Sequence, residues 1–209
     1  TFIQLAGESG VGKTALLLQI LTSVANYNKS VFFNFEMGDT RIINRLEKLL
    51  ENDKQWDNLI IDNDSRDIDT LCNEITLYAR DGIKFFTIDS KMKLSTKDTL
   101  QDYQKFSMIS KRLAELAQKL EVIIFLINQM SEDDLKNKRL AFKGSGDQKY
   151  DADIALFYVI NKEGKREPLG DCSCIFLFLE KLLFLIGLDF TIVVKPKFGF
   201  SDFGSSSRL

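Results

Sequence analysis

The chain has 209 residues, enough for one α/β domain with a substantial core, and no stretch rich in Pro, Ser and Gly divides it into two. The 28 basic residues against 30 acidic ones leave a net charge of −2, which excludes a broad basic surface for nucleic acid and confines any such contact to a local patch. Histidine is absent, which excludes histidine-activated nucleophiles and imidazole-dependent zinc sites, so chemistry must rest on carboxylates, lysine and a hard cation.

The apolar run Phe2 to Ala6 reads as a buried strand. It leads into Gly7-Glu8-Ser9-Gly10-Val11-Gly12-Lys13-Thr14, the G-x-x-x-x-G-K-T pattern of a phosphate-cradling loop. Glycines let successive backbone N–H groups converge on a β-phosphate, Lys13 reaches the β and γ oxygens, and the Thr14 hydroxyl is placed to ligate Mg²⁺. Ala15, Leu16, Leu17, Ile20, Leu21 and Val24 then recur at helical spacing, so strand, loop and helix come in the order a nucleoside triphosphate site requires. The expected ligands are ATP and Mg²⁺.

Val31 to Phe35 reads as a second strand, expected beside the phosphate-loop strand and ending at Glu36-Met37, where a carboxylate can polarise an attacking water. A helix is expected over Thr40 to Leu50, a third strand over Leu59 to Asp62 and a helix over Ile68 to Arg80. Lys84 to Ile88 forms a fourth strand closed by Asp89, the position from which a carboxylate orders Mg²⁺. Thr99 to Leu120 carries Phe106, Ile109, Leu113, Leu116 and Leu120 as one apolar helical stripe facing a sheet. Val122 to Ile127 is a fifth strand entering Asn128-Gln129, whose terminal amide is set to contact a γ-phosphate and the loop that follows, and Ile154 to Ile160 is a sixth. Strands alternating with long helices predict an α/β fold with a mostly parallel central sheet covered by helices on both faces. Ligands bind at the carboxyl ends of such strands, which gathers the phosphate loop, Glu36, Asp89 and Gln129 along one rim.

The run Cys174 to Leu188 has no polar face, yet it is shorter than the roughly 20 apolar residues of a membrane span and carries Glu180-Lys181 near its centre. A buried hairpin or strand-plus-helix is expected there, then a strand over Phe190 to Val194 and a frayed tail over Gly199 to Leu209. Three cysteines without a secretory signal point to a reducing cytoplasm, and the shortness of the apolar run to no membrane association. The abrupt opening at Thr1, one strand before the phosphate loop, is expected of a fragment of a longer protein.

The order of motifs resembles that of DnaB-type replicative DNA helicases, in their C-terminal RecA-like motor domain. The resemblance rests on Gly7 to Thr14, Phe33-Asn-Phe-Glu36-Met37, Phe86-Thr-Ile-Asp89, Ile127-Asn-Gln129-Met, Lys143-Gly144-Ser-Gly146 before Asp151-Ala-Asp153, and Val194-Lys195-Pro-Lys197-Phe-Gly199. It implies a RecA-like P-loop NTPase fold, a homo-oligomer built as a six-membered ring with ATP between neighbours, single-stranded DNA in the channel, and a helicase loader or a primase as partner. It further implies Glu36 as catalytic base, Gln129 as γ-phosphate sensor, and Lys143, Gly144 and Gly146 on a loop facing the DNA backbone. Lys195 and Lys197 would reach a neighbour's nucleotide; the family has arginine where Lys197 stands, so a point charge replaces a planar fork. A RecA- or RadA-like recombination ATPase and a nucleotide-switch loader or regulator are the competing readings.

Overall fold

The computed structural model describes residues 1–64, 66–97, 100–130, 142, 151–160 and 166–169. Among these, seven strands form one sheet: β1 (Phe2–Gly7), β2 (Ser30–Asn34), β3 (Leu59–Asp62), β4 (Phe85–Asp89), β5 (Ile123–Ile127), β6 (Ile154–Ile160) and β7 (Arg166–Leu169). The order is β3-β2-β4-β5-β1-β6-β7; the first six strands run parallel and β7 pairs antiparallel with β6. The structure thus has the mostly parallel α/β sheet that the sequence predicts. β7 is an addition to that prediction: Pro168 argues against a strand in the sheet interior, but an edge position tolerates the missing N–H.

Five α-helices cover the described sheet: α1 (Lys13–Ala25), α2 (Asp39–Leu46), α3 (Asp53–Asp57), α4 (Ile68–Arg80) and α5 (Asp102–Leu120). Successive strand residues face opposite sides, and both sides are apolar because both are covered. Phe32, Ile3, Leu5 and Phe125 pack with Leu17, Leu21, Ile42 and Leu46 of α1 and α2. Val31, Phe33, Phe86 and Leu126 pack on the other side with Leu71 and Ile75 of α4 and Phe106, Ile109 and Leu113 of α5. A side chain of this kind, wholly removed from water, contributes about 1.5–3 kcal/mol, so these two layers dominate the fold's stability.

Three expectations are corrected. β2 does not lie beside β1, because β4 and β5 stand between them; a right-handed crossover can pass over positions that later strands fill. The helix expected over Thr40 to Leu50 ends at Leu46, where the chain tightens through Leu49 N–H donating to Leu46 O. A separate short α3 follows, started by Asn52, whose side chain accepts from the Gln55 N–H at 3.1 Å. Similarly, α5 begins at Asp102 rather than Thr99 because Gln101 and Gln104 form a capping box at its start. No helix among the described residues is long and apolar enough to cross a membrane. The expectations for 174–188, 190–194 and 199–209 lie outside the described residues.

Candidate nucleotide site

The phosphate loop joins β1 to α1 in a conformation that only its glycines permit. A Cβ on Gly7 would lie 2.5 Å from Tyr158 O of β6 and 2.9 Å from a Val11 methyl. Gly12 caps α1 at φ 105°, in the left-handed region open to glycine. No side chain caps this helix and its first turn holds no acidic residue, so the leading N–H groups and the positive end of the helix dipole are left to an anionic ligand. Ser9, Gly10, Gly12, Lys13 and Thr14 line a cavity of about 560 Å³, while Val11 is buried behind the loop. Lys13 Nζ donates to Gly7 O at 3.0 Å and Glu8 O at 2.7 Å, so the loop's own carbonyls hold the ammonium over the cavity. Burial lowers the Lys13 pKa, against the opposing pull of Glu36, Asp89 and Glu8.

Asp89 ends β4 and is fully buried. Its Oδ2 accepts from the Thr14 hydroxyl at 2.6 Å, while Oδ1 is buried without a hydrogen-bond partner. Burial pushes the Asp89 pKa up to about 6; the Thr14 hydrogen bond opposes this, and the neighbouring Glu36 carboxylate adds to it. Such a carboxylate calls for a cation. A hydroxyl and a carboxylate oxygen side by side, the latter with an unused buried oxygen, fit Mg²⁺, which takes a few protein oxygens and completes its shell with phosphate and water.

Glu36 reaches this place through β2. Asn34 is in register with Asp89, and the Phe35 N–H donates to Asp89 O at 2.6 Å. The Asn34 side chain then closes the turn that carries Glu36: its Nδ2 donates to Met37 O at 2.6 Å and its Oδ1 accepts from the Met37 N–H at 3.2 Å. Glu36, Asp89 and Gln129 all line the cavity, so the rim foreseen from the sequence is assembled although β2 and β1 are not neighbours. Gln129 leaves β5 with its N–H donating to Asn128 Oδ1 at 2.8 Å.

Sequence reasoning missed the Asn34 clamp and two cations, Arg45 and Lys48, that also line the cavity. Their spacing of three was the available signal, since it sets both on one face of the helix expected over Thr40 to Leu50, although Lys48 lies just past the end of α2 at Leu46. Arg45 Nη1 lies 3.4 Å from Met37 Sδ. Lys143, Gly144, Gly146, Lys195 and Lys197 lie outside the described residues.

A family model described as an AAA domain matches residues 1–134. Among solved structures, a DnaB-like replicative helicase, described with its interactions with primase, superposes with a TM-score of 0.62 at 22% identity, covering 76% of this chain and 46% of that one. This chain therefore spans less than half the length of that helicase. A KaiC-like protein from the hyperthermophilic archaeon Pyrococcus horikoshii superposes with a TM-score of 0.61 at 16% identity, covering 80% of this chain and 76% of that one. At these identities the two likenesses establish the fold. Comparison with curated protein sequences gives no match. With its phosphate loop, its buried strand-end carboxylate and well over half of its length inside the family model, the chain belongs to the AAA domain family and is an ATPase domain of RecA-like fold.

Proposed function

We propose that this domain is the ATP-dependent motor of a hexameric DNA helicase, hydrolysing ATP at subunit interfaces to translocate on single-stranded DNA during replication. The observation that carries the hydrolytic part is the gathering of Lys13, Thr14, Glu36, Asp89 and Gln129 around one cavity, with Glu36 beside the carboxylate that would hold the metal. Lys13 and the loop N–H groups bind and orient the β- and γ-phosphates. Thr14 and Asp89 would hold Mg²⁺, which when bound supplies charge neutralisation to the phosphate oxygens. Glu36 accepts a proton from the attacking water, and Gln129 contacts the γ-phosphate and passes its presence to the segment after β5.

The DNA-directed part rests on the motif order and is supported by the DnaB-like fold neighbour. In this reading Lys143, Gly144 and Gly146 contact the DNA backbone, where a lysine and small residues suit sequence-independent binding. Lys195 and Lys197 complete a neighbour's ATP site, and a helicase loader or a primase docks on the full-length cytoplasmic ring. Lysine rather than arginine at Lys197 supports a second reading: a nucleotide-switch loader or regulator without processive hydrolysis.

The test is ATP turnover with and without single-stranded DNA, measured beside oligomer mass on the full-length protein, with Lys13→Ala as control. Stimulation by DNA in a ring, abolished by Lys13→Ala, supports the motor. Slow turnover indifferent to DNA in an assembled oligomer selects the switch, and unchanged turnover in Lys13→Ala removes both.

A further inference from the structure

Gln4 is out of place by composition. It stands mid-strand in β1 between Ile3 and Leu5, in register with Leu126 on one side and Ala155 on the other, and no part of it reaches solvent. Burying an amide among apolar neighbours costs about 1–3 kcal/mol unless it is hydrogen-bonded. Asn128, equally buried, directly follows β5, and its Nδ2 donates to Gln4 Oε1 at 3.2 Å. Two more of its groups are committed: the Asn128 N–H donates to Leu5 O at 2.8 Å, and Oδ1 accepts the Gln129 N–H at 2.8 Å.

A continuous set of hydrogen bonds therefore runs from the middle of the phosphate-loop strand, through Asn128, to the backbone of Gln129. Gln129 itself lines the nucleotide cavity. With both ends of its amide engaged, Asn128 cannot rotate without breaking a buried bond, so the peptide of Gln129 is fixed relative to β1. Hydrophobic residues at both positions would fill the sheet equally well and leave Gln129 free to swing at the strand exit. We infer that Gln4 and Asn128 are a pair of positioning residues that hold Gln129 against the γ-phosphate and so set how well the site distinguishes ATP from ADP. The inference rests on the reading of the cavity as an ATPase site with Gln129 facing the γ-phosphate.

Dissociation constants for ADP and for a non-hydrolysable ATP analogue, both with Mg²⁺, test it in full-length wild type, Gln129→Ala, Asn128→Ala, Gln4→Leu and the Asn128→Ala/Gln4→Leu double variant. Removing one buried hydrogen bond is expected to lower the preference for the triphosphate by about tenfold while ADP affinity stays within about twofold. The double variant should lose no more than Asn128→Ala, since both act through one connection. Asn128→Ser, too short to reach Gln4, should lose the preference as Gln4→Leu does, and it keeps the test open if Asn128→Ala does not fold. A pair that merely fills space would lower the melting temperature and leave the ATP-to-ADP ratio intact, and that result overturns the inference. If Gln129→Ala itself keeps the wild-type ratio, the reading of the cavity falls and the pair's role with it. If Gln129→Ala loses the ratio while Asn128→Ala and Gln4→Leu keep it, only the pair is overturned.

Discussion

Asp89→Asn should make the nucleotide-free protein more stable while destroying its use of magnesium. The carboxylate is fully buried, its Oδ1 has no hydrogen-bond partner, and its pKa is raised from 3.8 to about 6 by burial and by Glu36. A raised folded-state pKa favours folding while the group is protonated; that stability is complete below pH 3.8 and is lost as the pH climbs through about 6. Above that window, carrying the buried charge costs the folded state roughly 3 kcal/mol. Asparagine keeps an oxygen for the Thr14 hydroxyl, turns the partnerless oxygen into a donor and removes the repulsion with Glu36. At pH 7 in chelator, Asp89→Asn should therefore unfold roughly 6–12 °C above wild type, at about 2–4 °C per kcal/mol for a domain of this size. The gap should close as the pH falls from about 6 toward 4. Calorimetric or denaturant unfolding across pH 4 to 8 checks the stability, and titration of Mg²⁺ in the presence of ATP should show its added stabilisation abolished in the variant. Equal or lower stability of Asp89→Asn at pH 7, with a pH profile parallel to wild type, would refute the argument that an uncompensated charge sits at the end of β4.

Glu36→Gln should retain ATP binding and lose turnover by about 10² or more, since an amide holds a water without accepting its proton; steady-state hydrolysis beside nucleotide titration separates the two. Gly7→Ala should destabilise the fold by about 1–3 kcal/mol and weaken nucleotide binding together, because the new methyl meets the backbone oxygen of Tyr158 at 2.5 Å, and denaturant midpoints with wild-type-like values would contradict this. Lys143→Ala should weaken binding of the assembled protein to single-stranded DNA equally at all sequences and reduce the salt slope by about one for each phosphate no longer neutralised, whereas a sequence-selective effect would exclude a backbone interaction.

The site is legible where chemistry dictates residue type. A phosphate cradle demands glycines, a lysine and a hydroxyl in fixed order, and a strand-end Asp, common by itself, gains meaning only beside such a cradle. Strand neighbours are not legible, since apolar runs encode burial on both faces but not which strand lies alongside, and the expectation of β2 next to β1 fails for that reason. Buried polar side chains are the other blind spot. Lys91 is fully buried with its Nζ donating to Ser110 Oγ at 2.6 Å, yet in sequence it is one more lysine after a strand. Asn34 likewise reads as one residue of a strand and Asn128 as the exit of another, and only their partners in the folded chain reveal what they hold.

The placement of β1 has a mechanical consequence. Its two neighbours, β5 and β6, are the strands that residues 128–153 connect. That connection leaves β5 at the rim of the nucleotide cavity and returns at the opposite rim, where the Asp153 N–H donates to Phe2 O and Asp153 Oδ2 accepts from the Phe2 N–H. A tensile load on the connection is borne as shear along two hydrogen-bonded ladders that share β1 as their common rail. A rearrangement around the phosphates and a pull on that connection would thus meet on a single strand hydrogen-bonded from both sides, which leaves little room for bending between them.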